Sequence, residues 1–355
     1  MQHWKEGGHD TLCKKIKRAG GAEQYNANKK YSEAVAVAVE KCAEDTKGQT
    51  CYICTQALHW KTKEGLVRGC SCRGTAGFAH VSCLAEEAKI LFSEAEEDNL
   101  GEKVLTERWA RWHACSLCKQ SYHGVVACAL GWACWKTYVG RPEADQDRID
   151  AMTELGRGLH EVEHYEDALS VREAELAMLR RLGAPEEDIL VARGNLASTY
   201  HALGRHQDSM RMSQNVYSGY LRLNGTEHRD TLISANDLAA DLVELGCFEE
   251  AKSLLRTTMP VARRALGEGE AAELRMRCIY ACTLYNDPNA TLDDLCESVA
   301  TLEETTRIAR RVFGGTHPII PDREGELRKA RAALRAREGD VDALRDAVAA
   351  LRVKK

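Results

Sequence analysis

Eight side chains in this sequence stand apart because they come as four close pairs: Cys51 and Cys54, Cys70 and Cys72, His80 and Cys83, Cys115 and Cys118. Each is a sulfur or nitrogen donor of the kind that holds zinc, and two donors one or two residues apart can wrap one face of a tetrahedral ion. Four pairs therefore suit two zinc ions. Disulfides would suit a small secreted framework, but the sequence shows no signal peptide. Core thiols are common too, yet they do not gather in pairs on short Gly-rich loops. Metal ligation is the reading the paired spacing supports. Eight donors fill both ions, so neither keeps the open position that a catalytic zinc needs.

The stretches Cys51-Tyr-Ile-Cys54, Gly69-Cys-Ser-Cys-Arg-Gly74, His80-Val-Ser-Cys-Leu84 and Cys115-Ser-Leu-Cys118 together resemble a RING-CH (RING-variant) domain. The resemblance implies a cross-brace. Cys51, Cys54, His80 and Cys83 would share one ion, and Cys70, Cys72, Cys115 and Cys118 the other. A PHD finger has the same ligand order. Here one residue separates Cys70 from Cys72 and seven separate Cys72 from His80, which favours RING-CH.

Such a domain implies a ubiquitin-ligase module that docks a ubiquitin-conjugating enzyme and holds its thioester ready for attack. It brings no nucleophile and contributes positioning alone. Ile53, the apolar residue inside the first pair, and Leu117 would lie on the docking face. This chain departs from the family twice. Glu87 stands where the family often has Trp, and the gap from Cys83 to Cys115 is long, filled by an acidic, helix-like segment at 84–98.

Several elements must position these ligands. Residues 1–22 hold Trp4, His9 and Cys13 before a basic run at 14–18, which resembles the last part of a MYND finger with His9 and Cys13 as its final ligands and His3 as a further candidate. The earlier cysteines of such a finger are not in this sequence, so it is expected to be truncated or decayed. Residues 23–48 read as a linking helix, with Tyr31, Ala34, Val35, Val39 and Cys42 on one stripe. The zinc module spans 49–125. An apolar helix with Trp132, Trp135 and Tyr138, followed by a linker, occupies 126–147, where Cys128 and Cys134 are expected as buried thiols. His59, His113 and His123 are spare imidazoles for which the eight-donor set leaves no vacancy.

Beyond this the chain becomes repetitive. Leu196 and Leu238 are 42 residues apart, as are Gly204 and Gly246, and helix ends recur at Leu182-Gly183, Leu223-Asn-Gly225, Leu266-Gly267 and Phe313-Gly314. Residues 148–320 resemble about four tetratricopeptide repeats of the kinesin-light-chain type, the fourth degraded around Asn286-Asp-Pro-Asn289. Repeats of this kind stack into a superhelix with a concave binding face. Residues 321–355 are expected to form a charged capping helix, with Asp340 or Asp342 at its start and Leu344, Val348 and Leu351 on one stripe.

Composition narrows the functions. A net charge of −5 gives no electrostatic case for a nucleic-acid partner. No run approaches the roughly 20 apolar residues of a spanning helix. Phosphate-binding, dinucleotide, metalloprotease and nucleophile-elbow motifs are absent. The expected fold is mostly α, a small two-zinc RING-CH module followed by a tetratricopeptide superhelix, in an intracellular protein of the cytoplasm or nucleus. The expected function is an adaptor and RING-CH-type ubiquitin ligase whose repeats bind a protein or peptide on their concave face. The alternative is a non-catalytic interaction scaffold, favoured by Glu87 and the long insertion. A PHD-like histone reader is a third reading.

Overall fold

The computed structural model describes residues 9–315, 317 and 319–353, and side chains within 10–339. It is mostly helical, and among the described residues β structure is confined to two isolated antiparallel bridges, Val67 with Ala79 and Ala114 with Ser121. The chain divides into two compact units, Met1–Pro185 and Glu186–Lys355.

In the first unit α1 (His9–Ala19) and α2 (Ala22–Cys42) precede the Cys/His loops. Helix α2 ends at Cys42, short of the expected span 23–48, because turns begin at Ala43 and lead to Gly48. Then come α3 (Val81–Glu97), α4 (Glu102–Trp109) with a 3-10 turn at Ala110–Trp112, α5 (Gly124–Tyr138), α6 (Gln146–Glu161) and α7 (Tyr165–Leu182). The insertion between Cys83 and Cys115 is thus two helices and a turn. Its aromatic residues are tied to α5, with Trp112 and Tyr138 edge to face at 5.9 Å.

Helix α5 is mostly apolar because most of its residues are buried. Val126, Ala129, Leu130, Ala133 and Cys134 share one core with Tyr31 and Val35 of α2 and with the buried ligands Cys51, Cys70, Cys83 and Cys115. Cys128 faces a second cluster with Leu155, Leu159 and Ala168. Both expected buried thiols are buried. Helices α5 and α6 approach closely through two glycines. A Cβ on Gly131 would sit 2.7 Å from the Glu154 carbonyl, and one on Gly158 would sit 2.8 Å from that of Ala127.

The second unit runs α8 (Glu186–Ala202), α9 (His206–Asn224), α10 (Arg229–Glu244), α11 (Phe248–Leu266), α12 (Ala271–Asn286), α13 (Leu292–Phe313) and α14 (Ile319–Val353). Sequential helices pair antiparallel through short turns. Leu232 and Ala239 of α10, Leu255 and Ala262 of α11, and Met276, Tyr280 and Leu284 of α12 form one buried cluster. The four Leu-Gly-type ends all terminate helices, with left-handed Gly183 after α7 and positive φ at Gly225, Gly267 and Gly314. The segment 286–289 is divergent in sequence but keeps its helix pair. Asp287 accepts from Lys252 at 2.7 Å and from the Asn289 amide at 2.8 Å, and Thr291 caps α13 in a reciprocal box with Asp294.

The terminal element differs from expectation. A single helix runs from Ile319 to Val353, with no start at Asp340 or Asp342. Pro321 lies in its first turn, where a missing amide is no loss, and the helix gains burial by packing Ile320 and Ala330 on α12 and α13. The side chains of Leu344, Val348 and Leu351 lie outside the described residues.

Candidate metal centre

The loops before and after α3 are short backbone knuckles that repeat one design. The Cys51 amide donates to the Gln56 carbonyl at 3.0 Å, and the Thr55 amide donates back to the Cys51 carbonyl at 2.8 Å. The last pair repeats this with Cys115 to Gln120 at 2.9 Å and Lys119 to Cys115 at 3.0 Å. Thr55 and Lys119, each just after a CxxC, take positive φ of 61° and 60°. A third loop has the same backbone, with His59 to Glu64 at 3.0 Å, Lys63 to His59 at 2.9 Å and Lys63 at φ 60°. It holds no cysteine; there the Thr62 amide donates to His59 Nδ1 at 3.1 Å.

The third pair is set by a helix start. His80 is the N-cap of α3 and Cys83 lies in its first turn, with the Cys83 amide donating to the His80 carbonyl at 3.1 Å. A thiolate there meets the positive end of the helix dipole. The second pair lies in the loop that the Val67–Ala79 bridge closes. Gly77, at φ 82°, lies so close that a Cβ would be 2.6 Å from Cys72 Cβ and 3.1 Å from Cys70 Sγ. Nothing in the local pattern singled out Gly77; only the folded loop shows that it makes room for two sulfurs.

These elements bring the eight donors together in two groups. One donor atom from each of Cys51, Cys54, His80 and Cys83 lies within 4.8 Å of the others, and the same holds for Cys70, Cys72, Cys115 and Cys118. The first pair joins the third and the second joins the fourth, which is the cross-brace. Within the first group His80 Nδ1 is 3.4 Å from Cys54 Sγ and 3.6 Å from Cys83 Sγ; within the second, Cys72 Sγ is 3.8 Å from Cys115 Sγ. Tetrahedral zinc with Zn–S of about 2.3 Å and Zn–N of about 2.0 Å requires S···S of roughly 3.8 Å and S···N of roughly 3.6 Å. Disulfides, at about 2.0 Å, are excluded. The two groups fit two zinc ions.

Outer contacts support this reading. His80 Nε2–H donates to the Ala57 carbonyl at 3.4 Å, leaving Nδ1 free to ligate. Burial raises the pKa of the Cys72 thiol. None of the spare histidines joins either group. His59 is held by Thr62, His113 Nδ1 is 2.8 Å from Glu154, and burial depresses the pKa of His123. At the N-terminus Cys13 is exposed on α1, and no metal-capable group among the described residues includes it. Trp4, His3 and the side chain of His9 lie outside the described residues.

Residues 51–97 match the RING-variant domain. The module is a RING-variant domain. The match ends at α3, so the last ligand pair follows the inserted α4 and its turn. Residues 188–264, covering α8 to α11, match the tetratricopeptide repeat. No curated protein matches the chain. Among solved structures, a Podosopora anserina protein described as a kinesin light chain with nearly identical TPR-like repeats aligns at 18% identity over 65% of this chain and 97% of its own, with a TM-score of 0.40. BtubC from P. vanneervenii aligns at 13% identity over 75% and 92%, also with a TM-score of 0.40. Among the described residues no helix is long and apolar enough to cross a membrane.

Proposed function

We propose that this chain is a RING-variant ubiquitin ligase whose helical repeats hold a protein substrate. The observation that carries this is the junction of the two CxxC knuckles. Tyr52 lies inside the first and Ser116 inside the last, and their hydroxyls are 3.0 Å apart. The next residues in each loop, Ile53 and Leu117, are large apolar side chains left 38% and 49% exposed. Two such residues on adjoining, metal-rigidified loops make a small apolar platform for a ubiquitin-conjugating enzyme. Leu58 and Trp60, 59% and 67% exposed on the next loop, extend the apolar surface of the module. Neither was singled out from sequence.

In this reading the transferred bond belongs to the partners. A substrate amine attacks the thioester carbonyl of ubiquitin and the conjugating enzyme's thiolate leaves. This chain lowers the barrier by holding both in reach. The zinc ions are structural, their eight donors leaving no coordination position for substrate. On the repeats, His201, Glu244, Phe248, Tyr285 and Glu326 line a cavity of about 600 Å³, a mixed polar and aromatic surface suited to a peptide. Clustered thiols read as zinc ligands support a reducing compartment, the cytoplasm or nucleus, as the setting for this role.

The test is an autoubiquitylation assay across a panel of conjugating enzymes, with Ile53→Ala and Cys70→Ser alongside. Activity in the wild type that is lost in both variants supports the ligase. Silence across the panel from zinc-loaded protein sinks it.

One observation favours the second reading, a non-catalytic scaffold. Glu87 sits on α3 and accepts a hydrogen bond from Tyr52 at 3.4 Å, with its pKa raised by burial. A carboxylate thus stands beside the platform where the family often places an indole. Under that reading Ile53→Ala weakens partner capture and no ubiquitin is transferred.

A further inference from the structure

In the second unit three metal-capable side chains converge that belong neither to the cross-brace nor to the hydrophobic packing of the repeats. His201 lies in the last turn of α8, His206 is the first residue of α9, and Asp241 lies near the end of α10. A ring nitrogen of each histidine and a carboxylate oxygen of Asp241 lie within 4.8 Å of one another. His201 Nδ1 is hydrogen-bonded to Asp241 Oδ1 at 2.7 Å, a bond that an ion between them would replace, and the two imidazoles meet edge to face at 5.1 Å. Asp241 is 1% exposed, and its Oδ2 accepts from Ser209 Oγ at 2.9 Å and Ser213 Oγ at 2.8 Å. His206 Nδ1 is buried with no hydrogen-bond partner.

Burying a carboxylate and a ring nitrogen is unfavourable unless each is satisfied, and here the ring nitrogen is not. We infer that His201, His206 and Asp241 form a third metal site, taking a divalent transition ion of the zinc class. Two imidazoles and one carboxylate are a recognised donor set for such ions, and three protein ligands leave a coordination position open. Ser209 and Ser213 are the outer groups that orient the carboxylate, as second-layer hydrogen bonds do at metal sites. His201 also lines the cavity of about 600 Å³. With three donors and no thiolate, this site is weaker than the two cross-brace sites and fills only after them.

The three residues span a helix end, the following helix start and the next repeat, so no short spacing advertises them. His201 and His206 are five apart, and Asp241 comes 35 residues after His206.

The test is a cobalt titration of the full chain with its two cysteine-rich sites already zinc-loaded. The expected result is one further equivalent of Co²⁺, with visible ligand-field bands and no sulfur-to-cobalt charge-transfer band, because no thiolate takes part. His206→Gln and His201→Ala should each lose that equivalent at the cobalt concentration that saturates wild type. Ser209→Ala should weaken it by roughly 10- to 100-fold, the usual effect of removing an outer-layer partner. Circular dichroism confirms that the variants fold, and His206→Gln, at a helix start, is the safer of the two ligand changes. Absence of the further equivalent, or its persistence in both folded histidine variants, would overturn the proposal.

Discussion

The hydroxyls of Tyr52 and Ser116 lie 3.0 Å apart, although 64 residues separate them in sequence. Each sits inside a CxxC knuckle, and each knuckle serves a different ion of the cross-brace, so this contact braces one metal loop against the other. Tyr52→Phe keeps the ring and removes this link together with the longer, weaker hydrogen bond to Glu87. The expected loss is about 1 kcal/mol, the usual net value of a hydrogen bond whose surviving partner can turn to water. It should read out as faster zinc release to a chromogenic chelator, with helix content unchanged. Unchanged release kinetics would show that the loops are braced by packing alone.

Glycines inside helices usually weaken them, and Gly→Ala at such a site commonly gains up to about 1 kcal/mol. Gly194 in α8 follows that rule, because an added Cβ meets only Val216 Cγ1 at 3.8 Å. Gly158 in α6 reverses it, because the same Cβ would lie 2.8 Å from the Ala127 carbonyl and 2.9 Å from Cys128 Cα. That backbone cannot yield without parting α5 from α6, and overpacking of this kind costs about 1–3 kcal/mol. Thermal melts should therefore move in opposite directions, up for Gly194→Ala and down for Gly158→Ala. A rise for both would mean that the two helices separate easily.

Much of this architecture was legible because it is local. Paired cysteines two or three apart declare a ligand whatever the fold, and a Leu-Gly helix end declares itself through the left-handed residue it needs. The four ligand pairs and the four helix ends therefore follow from short spacings, whereas the grouping of the pairs on two ions came from the resemblance to RING-CH domains. What was not legible is non-local or compensated. The Tyr52–Ser116 contact, the cradle at Gly77 and the convergence of His201, His206 and Asp241 exist only once distant loops meet. The start of α14 was misplaced because an acidic residue was taken as a cap. In the fold, burial of Ile320 and Ala330 carries the helix straight through that position.

The turns inside the helix pairs offer a third test. Gly204 and Gly246 occupy left-handed turn positions at φ 72° and 74°, and the equivalent turn between α6 and α7 uses Glu163 at φ 61°. The backbone bonds match: the amide of His164 donates to Leu159 at 3.0 Å, Arg205 to Tyr200 at 2.8 Å, and Cys247 to Leu242 at 2.8 Å. A side chain in this region costs roughly 1–2 kcal/mol. Glycine gives back about 0.4–1 kcal/mol through the freer unfolded chain. Glu163→Gly should therefore stabilise the chain by on the order of 0.5–1 kcal/mol, seen as a higher melting temperature. A lower one would mean that the Glu163 side chain makes contacts worth more than its backbone strain.

Glu175, on α7, gives a pH dependence with a definite sign. Burial raises its pKa from 4.5 to about 7, against the opposing hydrogen bond from Thr153 and the charge of Arg172, and its Oε2 has no hydrogen-bond partner. A carboxyl group whose folded pKa lies above its unfolded one holds its proton more tightly in the native state. Between about 4.5 and 7 the folded chain thus binds more protons than the unfolded one, and stability falls as pH rises through that window, levelling above it. The full difference is on the order of 3 kcal/mol, at about 1.4 kcal/mol per pH unit. Glu175→Gln keeps the shape and removes the charge, so it should melt higher than wild type at pH 8 and show a smaller gap at pH 5.5. Comparing the two proteins cancels the histidines and the zinc ligands, which titrate alike in both. A gap independent of pH would show that Glu175 is already neutral throughout this range or stays charged and well paired.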